Sequence, residues 1–129
     1  MTHEMTMRVY YEDTDLAGIV YYANYLKYIE RARSEYVRGL GIDQVRLKAE
    51  KGIVFAVRRV VADYFAPACF DDMVKVQTHL KSVSGARIDL HQSVLRGDTV
   101  LFEALVTLVC LGDRGRAVRW PADIRSQLK

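Results

Sequence analysis

Three features of the chain predict an α+β fold: one long stretch of helical periodicity near its start, four strand-like runs after it, and turn-forming residues closely spaced between the last three runs. The 129 residues read as a single domain, 1–129, large enough to bury a core but too short for a nucleotide-binding half plus a substrate half. Half of the residues are hydrophobic and 27% are charged, the balance of a folded chain rather than a disordered one.

Met7 to Glu12 opens the chain as a short strand with Val9 and Tyr11 on one face, and it ends at the polar turn Asp13 to Gly18. From Tyr22 the period changes. Positions 22, 25, 26, 29, 32, 36, 37 and 40 are apolar or small at 3.6-residue spacing, with Arg33 as the exception on that face. Lys27, Glu30, Arg31, Ser34, Glu35 and Arg38 take the other side, where Lys27–Glu30, Arg31–Glu35 and Glu35–Arg38 are at pairing distance. This predicts a helix of about five turns, stopped by Gly39 and Gly41 and followed by a short helical segment from Asp43 to Glu50. Strands are then expected over Ile53 to Phe65, Met73 to Val83, Ala86 to Leu95 and Thr99 to Leu111, with an edge strand from Arg116 to Trp120 closed by Pro121. The short loops at Ser84-Gly85 and Gly97-Asp98 make the last three long strands antiparallel neighbours. Leu101 to Leu111 is apolar at nearly every position, so both faces of that strand are expected to be covered, one by the helix and the other by a second subunit.

Several function classes lack support. The N-terminal residues show no apolar leader, and no stretch approaches the roughly 18 apolar residues of a membrane span; a cytoplasmic location is expected. Cys69 and Cys110 fit no metal-binding or disulfide spacing and are expected to be reduced and mostly buried. A net charge of +3, with no RNP-like or helix-turn-helix signature, argues against nucleic-acid binding. Asp13-x-Asp15-x-x-Gly18 opens like a calcium loop but has Ala17 at its fifth position and Asn24 at its twelfth. His79 and His91 have no zinc-ligand spacing, and G-x-S-x-G is absent. No metal or cofactor is expected.

What does carry chemistry is Tyr11 to Tyr25, where Glu12, Asp13 and Asp15, the turn at Gly18 and the start of the helix follow in quick succession. A carboxylate held beside free N–H groups and the positive end of a helix dipole suits attack on an acyl carbonyl. Before a helix, Asp13 and Asp15 also have the ordinary use of turn and capping residues. Tyr25 and Tyr36 are expected in the core, while the first turn, Tyr25 included, borders an acyl pocket with Ile19 and Val20.

Arg8 to Asp15, Gly18 to Leu26 and Glu30-Arg31-Ala32-Arg33 together resemble the hotdog-fold acyl-CoA thioesterases of the 4-hydroxybenzoyl-CoA thioesterase superfamily. The resemblance is greatest to the Tol-Pal-associated, YbgC-type branch. Tyr64-Phe65-Ala66-Pro67-Ala68 and Asp71-Asp72-Met73 extend it along the whole chain. It implies an antiparallel sheet wrapped around one long central helix, subunits joined edge to edge as a homodimer or homotetramer, and acyl-CoA as substrate with no cofactor. It places the catalytic carboxylate on Asp15, as nucleophile or general base, the oxyanion donor on the backbone N–H of Tyr22, and a close backbone approach at Gly18. That branch often carries His where this chain has Tyr22, whereas the 4-hydroxybenzoyl relative carries Tyr, so acyl preference stays open. A thiolate leaving group, with a conjugate-acid pKa near 8.5 on the cysteine scale, needs little protonation. Arg58, Arg59, Lys81, Arg87, Arg114 and Arg116 are the cations available for coenzyme A phosphates. Acyl carrier protein thioesters are a second substrate class, and a non-catalytic acyl-CoA-binding scaffold of the cell-envelope machinery is a reading from outside enzymology.

Overall fold

The computed structural model describes residues 2–128; Met1 and Lys129, the outer limits of the expected domain, lie outside the described residues. In chain order the elements are β1 (Thr2–Arg8), a 3-10 turn (Tyr11–Asp13), α1 (Asn24–Gly39), α2 (Gln44–Lys51), β2 (Val54–Tyr64), β3 (Met73–Val83), β4 (Arg87–Arg96), β5 (Thr99–Leu111), β6 (Ala117–Val118) and α3 (Ala122–Gln127). One antiparallel sheet holds all the strands in the order β1-β3-β4-β5-β2, with β6 pairing the end of β5.

The first strand lies earlier than expected. β1 alternates half-buried His3, Met5 and Met7 with exposed Thr2, Glu4, Thr6 and Arg8, and it pairs with β3 from Thr2↔His79 to Arg8↔Met73. The chain then leaves the ladder because the Asp13 carboxylate accepts the Tyr10 N–H at 2.8 Å, and the segment turns as a 3-10 helix. Val9 is fully buried and Tyr11 is 82% exposed, so the two do not share a face.

Helix α1 buries Tyr25, Tyr28, Ile29, Ala32, Tyr36 and Val37 on the sheet. It lies mainly across β3 and β4 and reaches β1, so β5 receives less of it than expected. The contact with β5 comes from Tyr25, which stacks on Phe102 with ring centroids 5.1 Å apart. Of the three expected charge pairs on the outer helix face, Glu35–Arg38 is the ion pair formed among the described residues. Arg33, the exception on the apolar face, has a partner in the core: its guanidinium donates to Gln92 Oε1 at 3.0 Å. The same Gln92, itself fully buried, donates to the Ile29 carbonyl and to Thr78 Oγ1, both at 2.8 Å. After Leu40 the chain reverses at Gly41, whose φ of +83° lies in the left-handed region that a side chain disfavours. Asp43 caps α2 through the Arg46 N–H.

The helical complement is therefore one long helix with two short ones, α3 being an addition to the expected set. β2 forms one edge of the sheet, with Val57, Val60 and Val61 exposed. On β5, Leu101 is fully buried while Leu105, Val109 and Leu111 are half-buried. Both cysteines are free, but Cys69 is exposed, contrary to expectation, because it lies in the turn between β2 and β3; Cys110 is buried. No helix among the described residues is long and apolar enough to cross a membrane.

Candidate active site at the hairpin before helix α1

Between the 3-10 turn and α1 the chain makes a tight hairpin closed by the Thr14↔Val20 bridge. The Asp15 N–H donates to the Ile19 carbonyl at 3.0 Å, and the Gly18 N–H donates to the Asp15 carbonyl at 2.9 Å. Gly18 has φ of +81°, completing a three-residue hairpin loop that ends in a left-handed residue. Nothing lies within 4 Å of a Cβ built on Gly18, so among the protomer's own atoms the requirement for glycine is its backbone conformation.

Asp15 is exposed at the base of this loop. Its Oδ1 accepts the Ala17 N–H at 2.9 Å, an Asx-type turn that pins the carboxylate and leaves Oδ2 without a bond among the described residues. Leu16 at the tip is fully exposed.

The hairpin is fastened on two sides. The Val20 N–H donates to the Ala68 carbonyl at 2.8 Å, and Ile19 bridges to Cys69, joining it to the β2–β3 connection. On the other side the Tyr21 N–H and the Asn24 side-chain amide both donate to the Asp13 carbonyl, at 2.9 and 2.8 Å. Because Tyr21 is held this way and its own carbonyl takes the Asn24 N–H at 2.8 Å, α1 begins at Asn24 rather than at Tyr22. The Tyr22 N–H, just outside the helix, has no acceptor among the described residues. The Tyr22 carbonyl accepts the Tyr64 hydroxyl at 3.0 Å.

Four of the expected site residues meet. Ile19, Val20, Tyr22 and Tyr25 line one cavity of about 330 Å³ together with Tyr64, Phe65, Ala66 and Pro67. Its aromatic wall is an edge-to-face cluster in which Tyr64 approaches Tyr22, Tyr25 and Phe102 at 6.2, 5.6 and 4.9 Å. Burial pushes the Tyr25 and Tyr64 hydroxyls above their ordinary pKa, and the Tyr25 oxygen accepts the Ala68 N–H at 2.9 Å. Asp15 and Gly18 line the neighbouring hollow of about 560 Å³ with Tyr11, Leu16 and Phe70. The hairpin thus separates the carboxylate from the aromatic cavity, with Ile19 as the step between them.

The β2–β3 connection that backs the site is held by charge. The Arg96 guanidinium donates to the Pro67 carbonyl at 3.1 Å and to Asp72 Oδ2 at 2.7 Å. The Cys69 N–H donates to that same oxygen at 2.8 Å and, with Arg96, holds the Asp72 carboxyl below its ordinary pKa. Tyr64, Phe65, Phe70 and the clasp from Asn24 to Asp13 are additions to the sequence-based site. An aromatic pair at a strand end ahead of Pro67 was the available signal for the first two. His79 and His91 face each other across β3 and β4 with ring centroids 4.9 Å apart, away from this site.

Comparison with known proteins agrees with the fold and the motif. The Thioesterase-like superfamily matches residues 9–128. The chain is 39% identical over 122 residues to a protein named acyl-CoA thioesterase YbgC from Haemophilus influenzae, covering 93% of this chain and 89% of that one. It is 42% identical over 106 residues to a protein named acyl-CoA thioester hydrolase YbgC from Escherichia coli O6:H1, covering 81% and 78%. A crystal structure of a 4-hydroxybenzoyl-CoA thioesterase mutant in complex with 4-hydroxybenzoyl-CoA superposes with a TM-score of 0.92 at 25% identity, covering 99% of each chain. With the antiparallel sheet, the helix laid across it and the Asp15 hairpin on its sequence motif, the chain belongs to the thioesterase-like superfamily, as a hotdog-fold thioester hydrolase of the YbgC-type branch.

Proposed function

We propose that this protein hydrolyses acyl-CoA thioesters to a free carboxylic acid and coenzyme A, with the Asp15 carboxylate as the reacting group. The observation that carries the reading is the hairpin that displays Asp15, with Oδ1 tied to the Ala17 N–H and Oδ2 free, in a chain 39% identical to an acyl-CoA thioesterase. The 4-hydroxybenzoyl-CoA thioesterase complex supports it as well, since the mutant crystallised with that substrate carries Asn in place of an Asp.

Two routes are open to Oδ2. It attacks the thioester carbon, expels the thiolate and leaves a mixed anhydride that water cleaves, or it takes a proton from a water that attacks instead. In both, the carbonyl oxygen gains negative charge, and the unpaired Tyr22 N–H at the entrance to α1 supports its role as the donor to that oxygen. The acyl group enters the cavity walled by Ile19, Tyr22, Tyr25 and Tyr64. The exposed β2 edge with its valines is suited to pair with a second copy as a homodimer or a larger homo-oligomer.

The test is a hydrolysis panel of short aliphatic, long aliphatic and aromatic acyl-CoA substrates beside matched acyl carrier protein thioesters, using the native chain and Asp15→Asn. Hydrolysis of at least one acyl-CoA by the native chain, with kcat reduced roughly 10²- to 10⁴-fold in Asp15→Asn, supports the proposal. A native chain inert on every coenzyme A ester, or an Asp15→Asn variant at full rate, overturns it.

A further inference from the structure

One carbonyl stands between the two halves of the site. The Asp13 carbonyl accepts both the Tyr21 N–H, at 2.9 Å, and the Asn24 side-chain amide, at 2.8 Å. Asp13 lies two residues before the reacting carboxylate, and Tyr21 and Asn24 bracket the oxyanion amide of Tyr22. The far end of Asp13 is fixed as well, its carboxylate accepting the Tyr10 N–H at 2.8 Å. Beneath the clasp, the Tyr28 hydroxyl is buried beside the Asp13 carboxylate. Burial first and the nearby Asp13 second push its pKa up.

We propose that Asn24 is a positioning residue for the reaction: its amide clamps the first turn of α1 to the Asp13 carbonyl and so sets the spacing between the Asp15 carboxylate and the Tyr22 N–H. The inference rests on the proposed roles of those two groups. Asn24 does not itself reach the cavity lining. A residue at this point that served the helix alone would be a capping residue, yet the amide donates outward to the preceding loop instead of accepting from the helix's own N–H groups. The Tyr21 N–H remains bonded to the same carbonyl when Asn24 is lost, so the fold keeps one of the two ties while the angle between hairpin and helix is freed.

Asn24→Ala removes the clamp. Asn24→Asp keeps the size of the side chain but replaces the donor with a carboxylate that faces the Asp13 carbonyl, so the clamp is lost while the helix dipole favours the added charge. Both variants are measured beside Asp15→Asn on an acyl-CoA substrate that the native protein hydrolyses. The expected result is a kcat decrease of roughly 10- to 100-fold in both Asn24 variants, the size associated with a misplacement of about 1 Å. KM should stay within about twofold and the kcat loss should appear at temperatures well below the melting transition of either variant, which a purely structural role would not produce. Full kcat in Asn24→Ala, or a kcat loss matched by melting in both variants, overturns the clamp while leaving Asp15 in place. Full rate in Asp15→Asn overturns the site assignment on which the clamp depends.

Discussion

Gly18→Ala isolates the conformational demand of the hairpin. With φ of +81° at Gly18 and nothing within 4 Å of an added Cβ, the methyl group meets no neighbour, and the whole cost is that of holding an L-residue in the left-handed region. That cost is about 1–2 kcal/mol. For a chain of this length each kcal/mol lowers the melting temperature by about 3–5 °C, so a loss of roughly 3–10 °C is expected. The strain could instead be relieved by opening the bond from the Gly18 N–H to the Asp15 carbonyl, which would loosen the loop whose Ala17 N–H holds the Asp15 carboxylate. Melting would then be nearly native and kcat would fall. Gly18→Asn checks that backbone strain is the origin of either loss, because Asn tolerates left-handed backbone far better than Ala. Circular-dichroism melting and acyl-CoA hydrolysis of both variants should therefore show Asn intermediate between Ala and native. If Gly18→Asn is as damaging as Gly18→Ala, or if Gly18→Ala is native in both stability and rate, the backbone argument fails.

Three further outcomes follow from the same geometry. Asp15→Asn retains an oxygen to accept the Ala17 N–H, whereas Asp15→Ala does not, so the Ala variant should melt lower than the Asn variant by the worth of one hydrogen bond, about 0.5–1.5 kcal/mol, with both equally inactive. Gln92→Leu removes three core hydrogen bonds and leaves the Arg33 guanidinium without its partner in the core; a loss of about 2–4 kcal/mol, read by urea denaturation, is expected, and a neutral effect would show that the Arg33–Gln92–Thr78 network is dispensable. Asp72 titrates below its ordinary value of 3.8 because of the Cys69 N–H and then Arg96, so its bonds stabilise the fold above that value. Asp72→Asn should be less stable than native by about 1 kcal/mol at pH 7. The gap should close as pH falls below 3.8 through the lower folded value, and a gap constant down to the acid transition would remove Asp72 as its source.

The strands β3 and β5 run from Met73 to Val83 and from Thr99 to Leu111, as the sequence predicts, because Asp71-Asp72, Ser84-Gly85 and Gly97-Asp98 mark their ends with turn chemistry. Their order in the sheet has no such marker. β1 sits beside β3 and β2 lies at the opposite edge because α1 carries the chain across the sheet, and alternation within a strand records which face is buried, not which neighbour it meets. Arg33 shows the same limit from inside the core: its place on the apolar stripe of α1 is legible, but its acceptor comes from Gln92, 59 residues away. At the site, the triplet Asp13-Thr14-Asp15 and Gly18 announce a turn bearing carboxylates, which suffices to find the hairpin.

What side-chain chemistry cannot announce is the use of backbone groups. The start of α1 moves from Tyr22 to Asn24 because one main-chain oxygen, that of Asp13, takes two donors, and the Tyr22 amide is left unpaired as a consequence of that choice. Every residue carries an identical carbonyl, so nothing in the identity of position 13 singles it out as an acceptor. The side chain that reaches it does: an Asn at the first helical position, where its amide lies on the side of the preceding turn, is the visible half of the pair. The geometry proposed for this site thus rests on a backbone acceptor that becomes legible only through the donor at Asn24, and a sequence that kept Asp15 and Gly18 but lost that donor is expected to keep the motif without its spacing.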